Sequence, residues 1–167
     1  MNEQTVSFSG HRPERLPTGN GLENLKHRLG KEIDKAISEG CKTFLFGASR
    51  GFDLMCAHEV LHRRRILRQD DPFPIRLIAV VPFEGQANKW VIADQELYYD
   101  TLAQCDEVVT LSTRYGKGCY HERNRWLIEH SSRLICFHDG GKGGTAYTVA
   151  QAKEAGMPVI NLFEPAP

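Results

Sequence analysis

Hydrophobic positions along the chain fall into short β-branched and aromatic runs, separated by longer stretches with helical spacing. Thr5 to Ser9 (TVSFS) reads as a strand. Leu22, Leu25, Leu29, Ile33 and Ile37 follow at intervals of three and four, one apolar stripe of a long helix that Gly40 is suited to stop. Thr43 to Phe46 (TFLF) is a second strand, and Phe52 to Leu67 a helix with Arg63, Arg64 and Arg65 at its outer end. Arg76 to Val81 (RLIAVV) does not alternate, so both faces of this third strand are expected to be buried. Lys89 to Ala103 reads as a helix, Glu107 to Leu111 as a strand, and Glu122 to His130 as a short helix. Arg133 to Phe137 (RLICF) is the fifth strand, Thr145 to Ala155 a helix stopped by Gly156, and Pro158 to Leu162 the last strand.

Strands that alternate with helices and carry buried runs imply a parallel sheet covered on both faces. Six strands in this order predict an α/β, Rossmann-like doubly wound fold: a mainly parallel six-stranded sheet with helices on both faces. The chain shows no internal repeat and no low-complexity tract. Asp70-Asp71-Pro72-Phe73-Pro74 is too short a connection to separate domains, so residues 1–167 are expected to form a single domain.

In such a sheet, ligands bind beside the loops that leave the strands, near the point where strand order reverses. Here the entering loops are plain (SEGCK, AQCDE, EHSSR, EAGMP), whereas the leaving loops read SGHRPERLP, GASRGFD, PFEGQANKW, STRYGKGCYHERNR and HDGGKGGT. Those leaving loops hold His11, Arg12, Arg15, Arg50, Arg114, Lys117, Arg123, Arg125 and Lys142. Lysine plus arginine and aspartate plus glutamate are both 21, so the formal net charge is zero. Attraction of the whole molecule to nucleic acid or membrane is therefore not indicated. Cations concentrated on one edge of a neutral protein are the pattern of a local anion site.

Two of these loops carry glycines at strand-to-helix junctions. In the first, Gly47, Ala48, Ser49, Arg50 and Gly51 precede Asp53. The glycines allow tight backbone geometry, and the first helical amides beyond them are able to hold a phosphate. Asp53 either caps the helix or accepts hydrogen bonds from a ribose. The spacing matches neither GxGxxG nor GxxxxGK[ST]. The second loop, Asp139 to Thr145, has Gly143 and Gly144 just before Thr145, which either caps the next helix or touches a phosphate. Gly10, His11 and Arg12 end the first strand; the turn needs only Gly10 and Pro13. Arg123 and Asn124 are either a solvated helix start or a second anion clamp. Gln86 and Trp90 follow the third strand, with Trp90 in the core or stacked on a base.

The five cysteines form no CxxC pair and three lie in or beside strands, which favours free thiols in a reducing compartment. Cys119 with His121 lacks the second ligand pair of a zinc site, so no metal is expected. A polar N-terminus and the lack of any apolar run near 20 residues make the cytosol the expected compartment, with no membrane partner.

Taken together, SGHRP, FGASRGFD, PFEGQANKW, GCYHERN and GGKGGT resemble the YpsA-like branch of the SLOG superfamily, from Ser9 to about Leu162. That superfamily groups the LOG nucleotide-processing proteins with the Smf/DprA DNA-processing proteins. The resemblance implies a Rossmann-like domain that binds a nucleotide or nucleotide-derived ligand, such as AMP, ADP-ribose or an NAD-like molecule, between the Gly47–Asp53 and Gly143–Thr145 loops. It also implies a homo-oligomer. The LOG pattern PGGxGTxxE ends in a catalytic glutamate; here GGKGGTAYT puts Thr148 in that place. The expected function is therefore ligand binding or sensing. The alternative is a hydrolase of nucleotide or NAD derivatives, with Asp53, Glu84 or His11 as the candidate catalytic groups. A single-stranded DNA module is least favoured, because a neutral chain neutralises few phosphates.

Overall fold

Strands and helices alternate from Thr5 to Asn161 in the computed structural model, which describes residues 4–67 and 74–165. Most of the Asp70–Pro74 connection lies outside the described residues. The strands are β1 (Thr5–Gly10), β2 (Thr43–Phe46), β3 (Arg76–Val81), β4 (Glu107–Thr110), β5 (Arg133–Phe137) and β6 (Val159–Asn161). The helices are α1 (Gly19–Ser38), α2 (Phe52–Leu67), α3 (Ile92–Gln104), α4 (Cys119–Glu129) and α5 (Gly144–Glu154). A single 3-10 turn, Pro13–Arg15, follows β1.

All five strand pairings are parallel, in the order β4-β3-β2-β1-β5-β6. The fold is thus an α/β, Rossmann-like one. The chain steps outward from β1 to β4, then returns across the sheet through α4 to place β5 against the free side of β1. Register fixes this junction: Ser9 lies opposite Cys136 and Gly10 opposite Phe137. Strand order reverses between β1 and β5, so the loops leaving these two strands diverge and open a crevice there.

The strand alternation divides the core. One face presents Val6, Phe8, Phe44, Phe46, Leu77, Ala79, Val81, Ile135 and Phe137 to the stripe Leu25, Leu29, Ile33 and Ala36 of α1 and to Leu54, Ala57, Val60 and Leu61 of α2. The other presents Leu45, Ile78 and Val80 to Leu127 of α4, and Leu134 and Cys136 to Val149 and Ala152 of α5. Phe8, Phe44, Phe46 and Phe52 are fully buried, and truncating such a residue to alanine costs about 3–5 kcal/mol. On its second face the central strand carries Ser7 and Ser9 instead of aliphatic residues. Ser7 Oγ and Ser131 Oγ are hydrogen-bonded at 2.8 Å, and Ser131 Oγ donates to Leu127 O at 2.7 Å, so both buried hydroxyls are satisfied. Ser9, one pleat further on, reaches the crevice.

Two helix starts differ from the sequence expectation. α4 begins at Cys119, three residues earlier than the apolar spacing suggests, because Gly118 adopts the left-handed conformation (φ 81°) that turns the chain into it. α3 begins at Ile92, later than Lys89. The preceding residues close tight turns, Asn88 N–H to Gly85 O and Trp90 N–H to Ala87 O, and Gln95 Nε2 holds Trp90 O at 2.8 Å. Among the described residues no helix is long and apolar enough to cross a membrane, and no group of three His, Cys, Asp or Glu could hold a metal ion. All five cysteines are free thiols.

Candidate ligand cleft at the strand-order reversal

A cleft of about 440 Å³ opens at the carboxyl end of β1, within the range of small-molecule sites. Four segments wall it. The end of β1 and its turn supply Ser9, Gly10, His11, Arg12, Glu14 and Arg15. The β2–α2 loop and first helical turn supply Ser49 and Asp53. α4 supplies Tyr120, His121, Arg123 and Asn124, and the start of α5 supplies Gly143, Gly144 and Thr145.

Arg123 is buried (6% exposed) yet charged, and it is held from three sides. Its Nη1 donates to Gly47 O, its Nε to Asn124 Oδ1 at 2.7 Å and its Nη2 to Ser49 Oγ at 3.5 Å. Burial lowers its pKa, and the Asp53 charge offsets this only in part. A Cβ at position 47 would stand 2.5 Å from Nη1, so Gly47 is required by the guanidinium packed against it. Gly51 is required differently: φ is +88°, and a Cβ would meet His11 O at 2.7 Å. At that close approach Phe52 N–H donates to His11 O, which joins the end of β1 to the start of α2.

Asp53 is the most constrained carboxylate. It is 5% exposed, and Oδ2 accepts from Ser49 N–H at 3.1 Å. Oδ1 is buried with no hydrogen-bond partner. Desolvation pushes its pKa up to about 6, against the opposing pull of Arg123, the Ser49 amide and Arg12. His11 is neutral. Burial, then the Arg15 charge, lower its pKa, outweighing Asp139. Asp139 N–H donates to His11 Nε2 at 3.0 Å, leaving the imidazole proton on Nδ1. Asp139 Oδ1 also lies 3.1 Å from Nε2, but a neutral acceptor nitrogen pairs with the amide. Asp139 is instead fixed by Arg15, whose Nε donates to Oδ2 at 3.1 Å, and by Gly141 N–H at 2.8 Å. Arg15 Nη1 donates to Lys142 O at 3.0 Å. The 3-10 turn is thus clamped to the β5–α5 loop. This holds the Asp139 carboxyl well below the usual carboxylate range.

α5 starts at the cleft without a side-chain cap; Gly143, φ 139°, is its N-cap. Its first amides and the positive end of its dipole therefore face an open volume. Thr148, the counterpart of the LOG glutamate, is fully buried and donates to Gly144 O at 3.0 Å inside the helix, away from the cleft.

Gly10, His11, Arg12, Ser49, Asp53, Arg123, Asn124, Gly143, Gly144 and Thr145 therefore share one cleft. The other candidates sit elsewhere. Gly47 packs behind Arg123, and Gly51 lines a separate groove. Ala48 is fully buried, in the left-handed region at φ 61°, and its carbonyl accepts from Gln86 Nε2 at 3.3 Å. Gln86 thus supports the loop from below. Arg50 turns to a separate groove beside Leu54 and Met55, with Glu14 at 3.4 Å and Asp94 at 3.7 Å. Trp90 packs edge-on to Tyr98 at 5.2 Å and beneath Arg50 at 5.9 Å. Glu84 is exposed outside the cleft. Sequence reasoning missed Tyr120, whose ring faces both Arg12 and Arg123 at 5.7 Å, and the clamp role of Arg15. The aromatic residue immediately before HERN was the available signal for the first.

Comparison with known proteins agrees with this architecture. A UPF0398 protein of Bacillus velezensis is 24% identical over 95% of this chain and 91% of its own length. The SPbeta prophage-derived protein YoqJ of Bacillus subtilis is 26% identical over 78% of this chain and 81% of its own. DNA processing protein A from Streptococcus pneumoniae has a similar fold (TM-score 0.61, 18% identity), covering 94% of this chain and 49% of that longer one. DNA processing protein A from Helicobacter pylori, described for its single-stranded DNA binding mode, gives TM-score 0.60 at 16% identity, covering 92% of this chain and 63% of that one. The chain thus spans about half to two thirds of those proteins. The family model for the YspA SLOG family matches residues 6–158, and the chain belongs to that family.

Proposed function

We propose that the cleft binds a phosphorylated ribose ligand, a nucleotide or nucleotide derivative such as AMP, ADP-ribose or an NAD-like molecule, and that the protein senses it. The observation that carries this reading is Asp53 Oδ1, a buried carboxylate oxygen without a partner in the wall of a cationic cleft. Such an oxygen calls for a donor, and a ribose hydroxyl supplies one. The uncapped start of α5 offers amides to a phosphate. Arg12 adds charge at the cleft, and Arg123 adds it from the buried wall. Asn124 fixes Arg123 through its Oδ1 and reaches Gly144 O through its Nδ2 at 3.5 Å.

A second reading, N-glycoside hydrolysis, has one observation in its favour. A carboxyl group with a pKa of about 6 is matched to general acid–base work near neutral pH. Single-stranded DNA, the ligand named for the Helicobacter pylori protein, is disfavoured because Arg12, Arg15 and Arg123 gather at one cleft instead of tracking a strand.

Calorimetric titration with AMP, ADP-ribose, NAD and an oligothymidylate, with product analysis, tests these readings. Saturable nucleotide binding without turnover is expected. Turnover abolished by Asp53→Asn would make the protein a hydrolase. Tighter binding of the oligonucleotide than of every small ligand would overturn the cleft reading.

A further inference from the structure

The phosphate–ribose reading leaves the ligand's third part without a seat. The tryptophan expected to receive a base is committed to Tyr98 and Arg50. Tyr120 lines the cleft, but two guanidinium groups already lie close to its ring. A different aromatic surface is available. His121, in the first turn of α4, stacks on Tyr147, in the second turn of α5, with ring centroids 4.0 Å apart and planes 6° from parallel. Tyr147 is half-buried, whereas His121 is exposed and lines the cleft. One face of the imidazole is covered by the phenol. No other ring among the described residues stacks on its second face.

We propose that His121, backed by Tyr147, is the platform on which the aromatic base of a nucleotide ligand stacks, with the ligand's phosphate on the start of α5. The inference rests on the phosphate–ribose reading above. Two observations support the placement. First, Gly144 and Tyr147 are three residues apart on α5, so about 4.5 Å of helix rise separates the free amides from the stacked pair. A ribose fits between a phosphate at one position and a base at the other. Second, a comparable stack on α4, Trp126 over His130 at 3.7 Å, joins residues four apart within one helix and does not line the cleft. The His121–Tyr147 stack is the one that crosses between helices at the cleft rim. A π-face tolerates any base, so this platform sets the class of ligand, an aromatic nucleotide over a bare sugar phosphate, and leaves the choice of base to other contacts.

Calorimetric titration with AMP and with ribose 5-phosphate tests this. Wild-type protein is expected to bind AMP the more tightly. His121→Ala should weaken AMP by roughly tenfold, in the range for loss of one stacked base, and change ribose 5-phosphate by less than about twofold. His121→Phe should retain AMP binding, and Tyr147→Leu should give a partial loss. Thermal denaturation confirms that each variant is folded. An unchanged ratio of the two affinities in His121→Ala, while ribose 5-phosphate still binds, would overturn the stacking platform alone. Failure of wild type to bind either probe would overturn the phosphate–ribose reading, and the platform with it.

Discussion

Gly47 and Arg123 form a matched pair: the guanidinium occupies the space where a side chain at position 47 would be, 2.5 Å from its first atom. The pair joins β2 to α4 across 76 residues. Gly47→Ala should therefore destabilise the fold by about 1–3 kcal/mol, the range for overpacking. In an Arg123→Ala background the same change should be nearly neutral. Urea denaturation of the double-mutant cycle reads the coupling; additive effects would show that position 47 is not constrained by Arg123.

Asp53 makes a signed prediction for stability. Its folded value of about 6 lies above the ordinary value of about 3.9 for an unfolded aspartate. Between these two values the folded chain binds more protons than the unfolded one, so this group's contribution falls as pH rises from about 4 to 6 and stays low above. About two pKa units correspond to roughly 3 kcal/mol. Other carboxylates titrate in the same window, so the readout is the difference between wild type and Asp53→Asn. The variant should gain stability relative to wild type across that window.

The same carboxyl predicts how ligand affinity responds to acid. A ribose hydroxyl donating to Oδ1 favours the ionised form. Affinity for ADP-ribose, whose pyrophosphate stays ionised across this range, should fall below pH 6, by up to tenfold per unit, and should lose this dependence in Asp53→Asn. Titrations at pH 5, 6 and 7.5 check it.

Arg15→Ala should release the β5–α5 loop. The Arg15–Asp139 contact is partly exposed and screened by solvent, so its effect on global stability should be small. The sensitive measurement is amide hydrogen exchange over residues 138–144, which should speed up while the β5 core stays protected.

The half-buried Cys105 and the buried Cys136 should be inert. Burial pushes the Cys105 and Cys136 thiols up to about 12, so neither supplies thiolate at neutral pH. Iodoacetamide at pH 8 should label both slowly in folded protein and rapidly in denaturant.

Much of the fold was legible because its signals are local. The α1 stripe and the runs TFLF, RLIAVV and RLICF each carry their own period, and the strands formed where those runs lie. The edge bearing the cations was legible too, since loop composition alone separates SGHRP and GGKGGT from SEGCK and EAGMP. What could not be read was which cation would enter the cleft. Arg50 and Arg123 are alike in sequence terms. Glu14 and Asp94 draw Arg50 outward, whereas Gly47 and Asn124 hold Arg123 in the wall. That choice depends on contacts from distant segments. The partners of the glycines in the β2–α2 loop were hidden for a related reason. They allow the tight backbone geometry expected of them, and the close approach is to Arg123 at Gly47 and to the His11 carbonyl at Gly51.

The strand order has a consequence for how the molecule comes into being. β1 to β4 follow one another in sequence and make up four of the six strands, with β1 at their inner border. Until β5 arrives from beyond residue 132, that border is an open edge with unpaired amides and carbonyls, the kind of surface on which other chains add. The strand that closes the edge also carries the loop that completes the cleft. Closure of that edge and completion of the cleft wall therefore depend on the same C-terminal segment. A nascent or truncated chain that stops short of β5 at once lacks the α5 wall of the cleft and leaves the β1 edge open to self-association.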